Sequence, residues 1–270
     1  MSMPARLPLA LLAVSALSAC ALTDGGATPA SAALDGSVQP DAPARGVDRQ
    51  ARERIAREDM LTQMAFWAGE YQTFPNDLEA AQRFSESLRR GGRTDRAVQI
   101  ASEALNRFPD DRPLLITYGY AQIAAGNPHQ ALRPLAIVAQ AEPDNWRVRS
   151  GLGAALDQLG RYDEARRAYA EALAIEPENA RVLTNMGVSH IMSGEAAEAE
   201  RFLRQASAIG GAPPEARHNL AIALALQGRF DEAEQIVRTD MPPAIAAQNV
   251  AYLRSLLRDE RRWSDLDRSR

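Results

Sequence analysis

Aromatic side chains make up only 6% of the 270 residues, and the chain has a single cysteine, Cys20. One cysteine excludes a disulfide within the chain. The three histidines, His129, His190 and His218, do not form a set with metal-ligand spacing. There is no CxxC pair and no glycine-rich phosphate loop. No metal, cofactor or small-molecule substrate is therefore expected, and no cluster pairs a nucleophile with a base as an enzyme would need. The net charge is a modest −4, with arginines interleaved among glutamates and aspartates. That pattern is a solvated surface laced with helical ion pairs, not a basic face for nucleic acid. The apolar run Leu7 to Leu17 is shorter than the roughly 20 residues a membrane-spanning helix needs.

What the chain does have is helical periodicity. Trp146 to Asn179 reads as two short amphipathic helices. Leu152, Gly153 and Leu156 share one face of the first, and Ala165, Tyr169, Ala172 and Leu173 one face of the second. Gly160 ends the first helix and Pro177 stops the second. Two helices of this size bury too little to offset the entropy of ordering them, so the unit needs neighbours.

Shifting the pattern by 34 residues supplies those neighbours. Glycine recurs in the turn at Gly92, Gly126, Gly160, Gly194 and Gly228. Alanine recurs at the first buried position of the second helix: Ala97, Ala131, Ala165, Ala199 and Ala233. The crossing point of the first helix stays small, at Ser85, Gly119, Gly153, Gly187 and Ala221, and the closing proline recurs at Pro109, Pro143 and Pro177. Side chains larger than alanine at the crossing would force the helix axes apart. A Cβ at the turn glycine is strained wherever φ is positive. The 34-residue period and these columns resemble the tetratricopeptide repeat (TPR). The resemblance implies an all-α fold: a right-handed α-α superhelix with one concave, protein-binding face.

Five units are expected, at 78–111, 112–145, 146–179, 180–213 and 214–247, with Pro134 kinking or interrupting the second helix of the second unit. A helical segment within 47–77 lacks the glycine and alanine columns; it reads as an N-terminal cap rather than a sixth unit in register. Residues 248–270 read as a C-terminal cap, in which Arg261 to Leu266 imitates a repeat turn.

Concave-face positions fall on the first helix of each unit. The candidates for partner binding are Tyr120, Arg147, Ser150, Asp157, Arg181, Thr184, Asn185, His218 and Asn219, beside the apolar Ile123, Ala154, Val188, Met192 and Ile222. Asn185 and Asn219 stand one repeat apart, and an amide can donate to and accept from a peptide bond; asparagine there can also simply pack. Arg147 and Arg181, also one repeat apart, could pair with acids of a partner or stay solvated. His190 sits where the family places a buried aromatic and is expected in the core.

Residues 1–19 read as a signal peptide, with Arg6 ahead of the apolar run. Leu17-Ser18-Ala19-Cys20 resembles the lipobox of bacterial lipoproteins, which implies cleavage before Cys20 and lipid attachment to it; the alternative is an ordinary secretory signal. Ala21, not aspartate, follows the cysteine, which by the same resemblance points to the periplasmic face of the outer membrane. Residues 20–46, rich in Ala, Gly, Ser, Pro and Asp, read as a linker.

The closing region, Arg217 to Leu256, resembles that of the TadD family, TPR lipoproteins of the tight-adherence (Flp, type IVb) pilus system. Asn219, Leu220, Ala221, Gly228, Asn249, Ala251, Tyr252 and Arg254 carry that match. It implies a non-enzymatic adaptor that binds an outer-membrane secretin or another pilus component. An adaptor of another envelope machine, or a regulatory subunit of an envelope enzyme, are the alternatives.

Overall fold

The computed structural model describes residues 48–268; the expected signal peptide (1–19), Cys20 and the expected linker (20–46) lie outside them. Among the described residues there are thirteen helices and no strand. They are α1 (Arg49–Ile55), α2 (Met60–Thr73), α3 (Leu78–Arg90), α4 (Thr94–Leu105), α5 (Arg112–Ala124), α6 (Pro128–Ala141) and α7 (Trp146–Gln158). Then follow α8 (Tyr162–Ile175), α9 (Ala180–Met192), α10 (Ala196–Ala208), α11 (Pro214–Leu226), α12 (Phe230–Val237) and α13 (Pro243–Arg268). Five pairs, α3/α4 to α11/α12, repeat at the expected interval.

Each pair turns in the same way. The turn glycines Gly92, Gly126, Gly160, Gly194 and Gly228 have φ between 70° and 83°. The amide after each glycine donates to a carbonyl five residues back, as in Arg161 N to Leu156 O at 2.9 Å. This closes the first helix with the six-to-one bond that a left-handed residue permits. At Gly160 a Cβ would meet no atom within 4 Å, so backbone conformation alone favours glycine there. Gly153 is glycine for the opposite reason. A Cβ there would lie 2.5 Å from the ring of Tyr169. The alanine column is fully buried throughout, from Ala97 to Ala233.

A further column starts the first helices. Asp77, Asp111, Asn145 and Asn179 accept from the backbone amides of Ala80 (2.8 Å), Leu114 (2.9 Å), Val148 (3.3 Å) and Val182 (3.1 Å). These side chains satisfy amides that the helix itself cannot. At α11 the column lapses to Pro213, which has no side chain to cap with.

Each helix packs on the next, and each first helix also packs on the first helix of the following pair. The second helices do not touch one another to a comparable extent. The stack therefore bends with the first helices on the inside.

Three expectations change. The N-terminal segment is a shortened helix pair, not one continuous cap. Asp59 takes the amides of Leu61 and Thr62 and starts α2 afresh, and Met60 stands 34 residues before Thr94, the start of α4. The pair keeps the spacing without the glycine because one buried arginine holds it. Arg52 bonds Glu70 (2.7 Å), Asp77 (3.0 Å) and Glu79 (2.9 Å) and lies 5.4 Å from the centroid of the Trp67 ring. Secondly, α6 runs unbroken through the buried Pro134. What the ring removes is one N–H donor within that helix. Thirdly, Arg261 to Leu266 continues α13 with no turn, Arg262 standing where the column would need glycine.

Candidate protein-binding groove

The inner face is built from α3, α5, α7, α9 and α11. The sequence places Tyr120, Arg147, Ser150, Asp157, Arg181, Thr184, Asn185, His218 and Asn219 there, and the structure divides them. Tyr120 is half-buried, and Arg147 and Arg181 are exposed. Asn185 and His218 are half-buried. Ser150, Asp157, Thr184 and Asn219 are buried, each 7% exposed or less. A first helix that packs on its neighbour on both sides has a narrow strip left for a ligand, and of these four Ser150 and Asp157 bond to a neighbouring pair instead. Thr184 donates back to the carbonyl of Ala180 (2.7 Å), and Ser150 accepts from the Asn185 amide (3.2 Å). Asn185 is therefore partly committed within the stack.

Asp157 is the clearest correction. Its carboxylate accepts from the Tyr169 hydroxyl of α8 (2.8 Å) and the Ser189 hydroxyl of α9 (2.6 Å), so it ties the third pair to the fourth. Burial pushes it up to about 6, against the two hydroxyl bonds and the nearby charge of Arg166. Burial, and then the Asp157 charge, also raise the Tyr169 phenol well above its ordinary value. Beside this joint His190 is 8% exposed, stacked on Phe202 with centroids 5.3 Å apart, with its Nδ1 2.7 Å from Glu195.

Tyr120 is the centre of what remains accessible. Its hydroxyl donates to the carbonyl of Arg147 at 2.5 Å, so α5 grips the start of α7. Its ring lies over Gly151, where a Cβ would come 3.0 Å from it. On its other side is the guanidinium of Arg89, 5.5 Å from the ring centroid. Gly151 holds the repeat position that Asn185 and Asn219 hold in the next two units, so the asparagine rungs stop where the tyrosine lies. Burial pushes the Tyr120 phenol up to about 12, while Arg89, Arg147 and Arg181 pull it down. Arg89 and Glu86 could not be picked out from the sequence, because neither belongs to a repeat column; the available signal was Gly151, a glycine where the next two units carry Asn185 and Asn219.

Among the described residues no group of three His, Cys, Asp or Glu could hold a metal ion. Two shallow hollows are each lined by a single loop, Thr73–Asp77 and Glu142–Arg147, rather than by converging helices.

Comparison with known proteins agrees with the paired-helix fold. Solved structures of similar shape include a thermophilic TPR protein from Thermus thermophilus (23% identity, TM-score 0.57, 66% of this chain and 98% of that one). MamA from MSR-1 is 25% identical, with a TM-score of 0.50 over 58% of this chain and 91% of its own. A TPR protein from Parabacteroides merdae shares the fold at 14% identity (TM-score 0.60, 76% of this chain, 80% of that one). No curated protein matches the chain in sequence. The tetratricopeptide repeat family matches over residues 122–184, 158–214 and 190–258, which together span half of the chain. The chain belongs to the tetratricopeptide repeat family.

Proposed function

We propose that this protein is a non-enzymatic adaptor of the bacterial envelope, held to a membrane by lipid on Cys20, that binds an extended segment of a protein partner along the inner face of its first helices. The observation that carries the reading is the inner strip itself. Arg147 and Arg181 stand exposed there around Tyr120, while the second helices spend many of their charges on ion pairs such as Arg229 with Glu200 and Glu232. No helix among the described residues is long and apolar enough to cross a membrane, so attachment would fall to the lipid. The closing-region resemblance supports a partner within a tight-adherence pilus machine, an outer-membrane secretin or another assembly component, with the protein on the periplasmic face of the outer membrane.

Photo-crosslinking residues placed in the full chain at Val188 (inner face) and Ala170 (exposed, on α8) test the groove in cells. Partner capture from position 188 but not 170 is expected; capture from 170 alone would overturn the reading. Replacing Cys20 with Ala should move the protein from the membrane fraction to the soluble periplasm with its helical spectrum unchanged. Fractionation that stays with the membrane would remove the anchor. If the captured partner belongs to another envelope machine, the adaptor role stands and the pilus assignment falls.

A further inference from the structure

Exposed large apolar side chains are few among the described residues, yet two of them are neighbours. Met60 (40% exposed) and Leu61 (75%) stand in the first turn of α2. Asp59 already starts that helix by taking the amides of Leu61 and Thr62, so capping asks for no leucine there. One turn on, Met64 packs on the α3–α4 turn, where a Cβ on Gly91 would lie 2.5 Å from the Met64 methyl carbon. The apolar pair therefore sits beside that turn.

The turn is basic, and the repeat marks this as a departure. Arg93, Arg161 and Arg229 share one repeat position. Three residues on, the third and fifth units have Glu164 and Glu232, which accept paired bonds of 2.6 or 2.7 Å from their arginines. The first unit has Arg96 there, so an ion pair is replaced by two arginines. Arg90, Arg93 and Arg96 are exposed and form no ion pair among the described residues, whereas Arg89 is matched to Glu86. Arg96 donates to the Gln99 side chain (2.6 Å). Asp95 is the one acid from Arg89 to Arg96. The α1–α2 turn is balanced, Arg54 and Arg57 standing against Glu58 and Asp59. An exposed apolar pair beside unmatched arginines suits a layer of phosphate headgroups over hydrocarbon.

The patch also lies where the remaining chain enters. Residues 21–47 join Cys20 to Asp48, and α1 (7 residues) then carries the chain about 10 Å before the turn into Met60. A contact of this size would hold a free protein only weakly. Tethering raises the local concentration of membrane to roughly the millimolar range, so weak docking suffices. Resting on attachment through Cys20, we propose that Met60, Leu61, Arg93 and Arg96 dock this end of the stack onto the phospholipid surface to which the chain is tethered. The apolar pair enters the interface, and the guanidiniums bond lipid phosphates. Docking turns α11 to α13, at the far end of the stack, away from the bilayer, so the tether acquires a defined orientation.

The lipidated protein, reconstituted on vesicles of phosphatidylethanolamine with about one third phosphatidylglycerol, tests this at low salt. With lipid on Cys20, the substitution Ala65→Cys, on the exposed side of α2, supplies the one thiol open to the environment-sensitive dye NBD. Ala170→Cys, exposed on α8, is the control. Emission from position 65 should shift to the blue on these vesicles, and position 170 should not respond. Adding Arg93→Gln/Arg96→Gln should lower the docked-to-free ratio about fivefold for each arginine lost, and Leu61→Ser should lower it too. Arg93→Lys/Arg96→Lys should retain most of the response, and Arg161→Gln all of it. Equal emission from positions 65 and 170, or a shift at 65 indifferent to the arginines and to Leu61, overturns the proposal. So does a photo-crosslinker at position 61 that captures a protein and no phospholipid in cells; the anchor then stands. A chain that fails to float with the vesicles takes away the anchor and the docking together.

Discussion

Replacing Asp157 with Asn should make the protein more stable at neutral pH and strip it of a specific acid stabilisation. The carboxylate sits at 6% exposure between α7, α8 and α9, where it meets two hydroxyls and no cation in contact. Folding raises it from 3.8 to about 6. The folded state therefore binds this proton more tightly than the unfolded chain. The group's contribution is unfavourable above about pH 6, is relieved as pH falls through 6, and is fully relieved below 3.8. Every tenfold gain in proton affinity corresponds to about 1.4 kcal/mol, so the penalty at pH 7.5 is about 3 kcal/mol. Asparagine keeps both contacts in neutral form, its carbonyl accepting from one hydroxyl and its amide donating to the other. Urea unfolding followed by circular dichroism at pH 7.5 and 4.5 measures this for both proteins, and subtracting the two pH responses cancels every other titrating group. The wild-type response should exceed that of the variant by about 2 kcal/mol, the last ~1 kcal/mol being relieved only below pH 4.5. Solenoids can open joint by joint, so amide exchange in α9 should report the same difference locally. Parallel pH responses in the two proteins would refute the reasoning, because they would mean that Asp157 is not kept from water at this joint.

The two kinds of glycine should separate in the same unfolding assay. Gly160→Ala should cost about 1–2 kcal/mol, through the positive φ alone. Gly153→Ala should cost about 1–3 kcal/mol by overpacking, and a second change, Tyr169→Leu, should rescue it but not Gly160→Ala. Ala165→Trp should damage stability far more than Arg147→Ala, which is expected within about 0.5 kcal/mol of wild type; comparable melting temperatures would contradict the assignment of Ala165 to the buried alanine column. Arg52→Gln leaves three carboxylates facing one another and should cost about 3 kcal/mol. That loss should appear as faster amide exchange confined to α1 and α2, and exchange unchanged there would show that the clamp does not hold the pair.

Much of the fold was legible because its constraints act through single residue types at a fixed interval. Only glycine meets both the left-handed turn at Gly160 and the close approach at Gly153 without strain, so both columns stood out. The capping column Asp77, Asp111, Asn145 and Asn179 was equally periodic but hidden, because two residue types share the task and both are common on surfaces. The N-terminal pair was missed for a related reason. It replaces the conformational signal of the glycine with an ion cluster whose members, Arg52, Glu70, Asp77 and Glu79, have no shared spacing to find.

The groove was harder to read than the fold, and Asp157 shows why. Repeat position fixes which way a side chain leaves its helix, but what it meets depends on the neighbouring unit. At the same position as Asp157 the next unit has Ile191, which is 7% exposed. Both side chains point into a joint, and only the hydroxyls of Tyr169 and Ser189 make a carboxylate tolerable there. Tyr120 and Gly151 show the converse case. A large ring on α5 is accommodated by the loss of a side chain on α7, so two positions in neighbouring units that share no repeat column must be read together. The exposed charge that results, at Arg147 and Arg181, is then a property of the stack rather than of any one repeat.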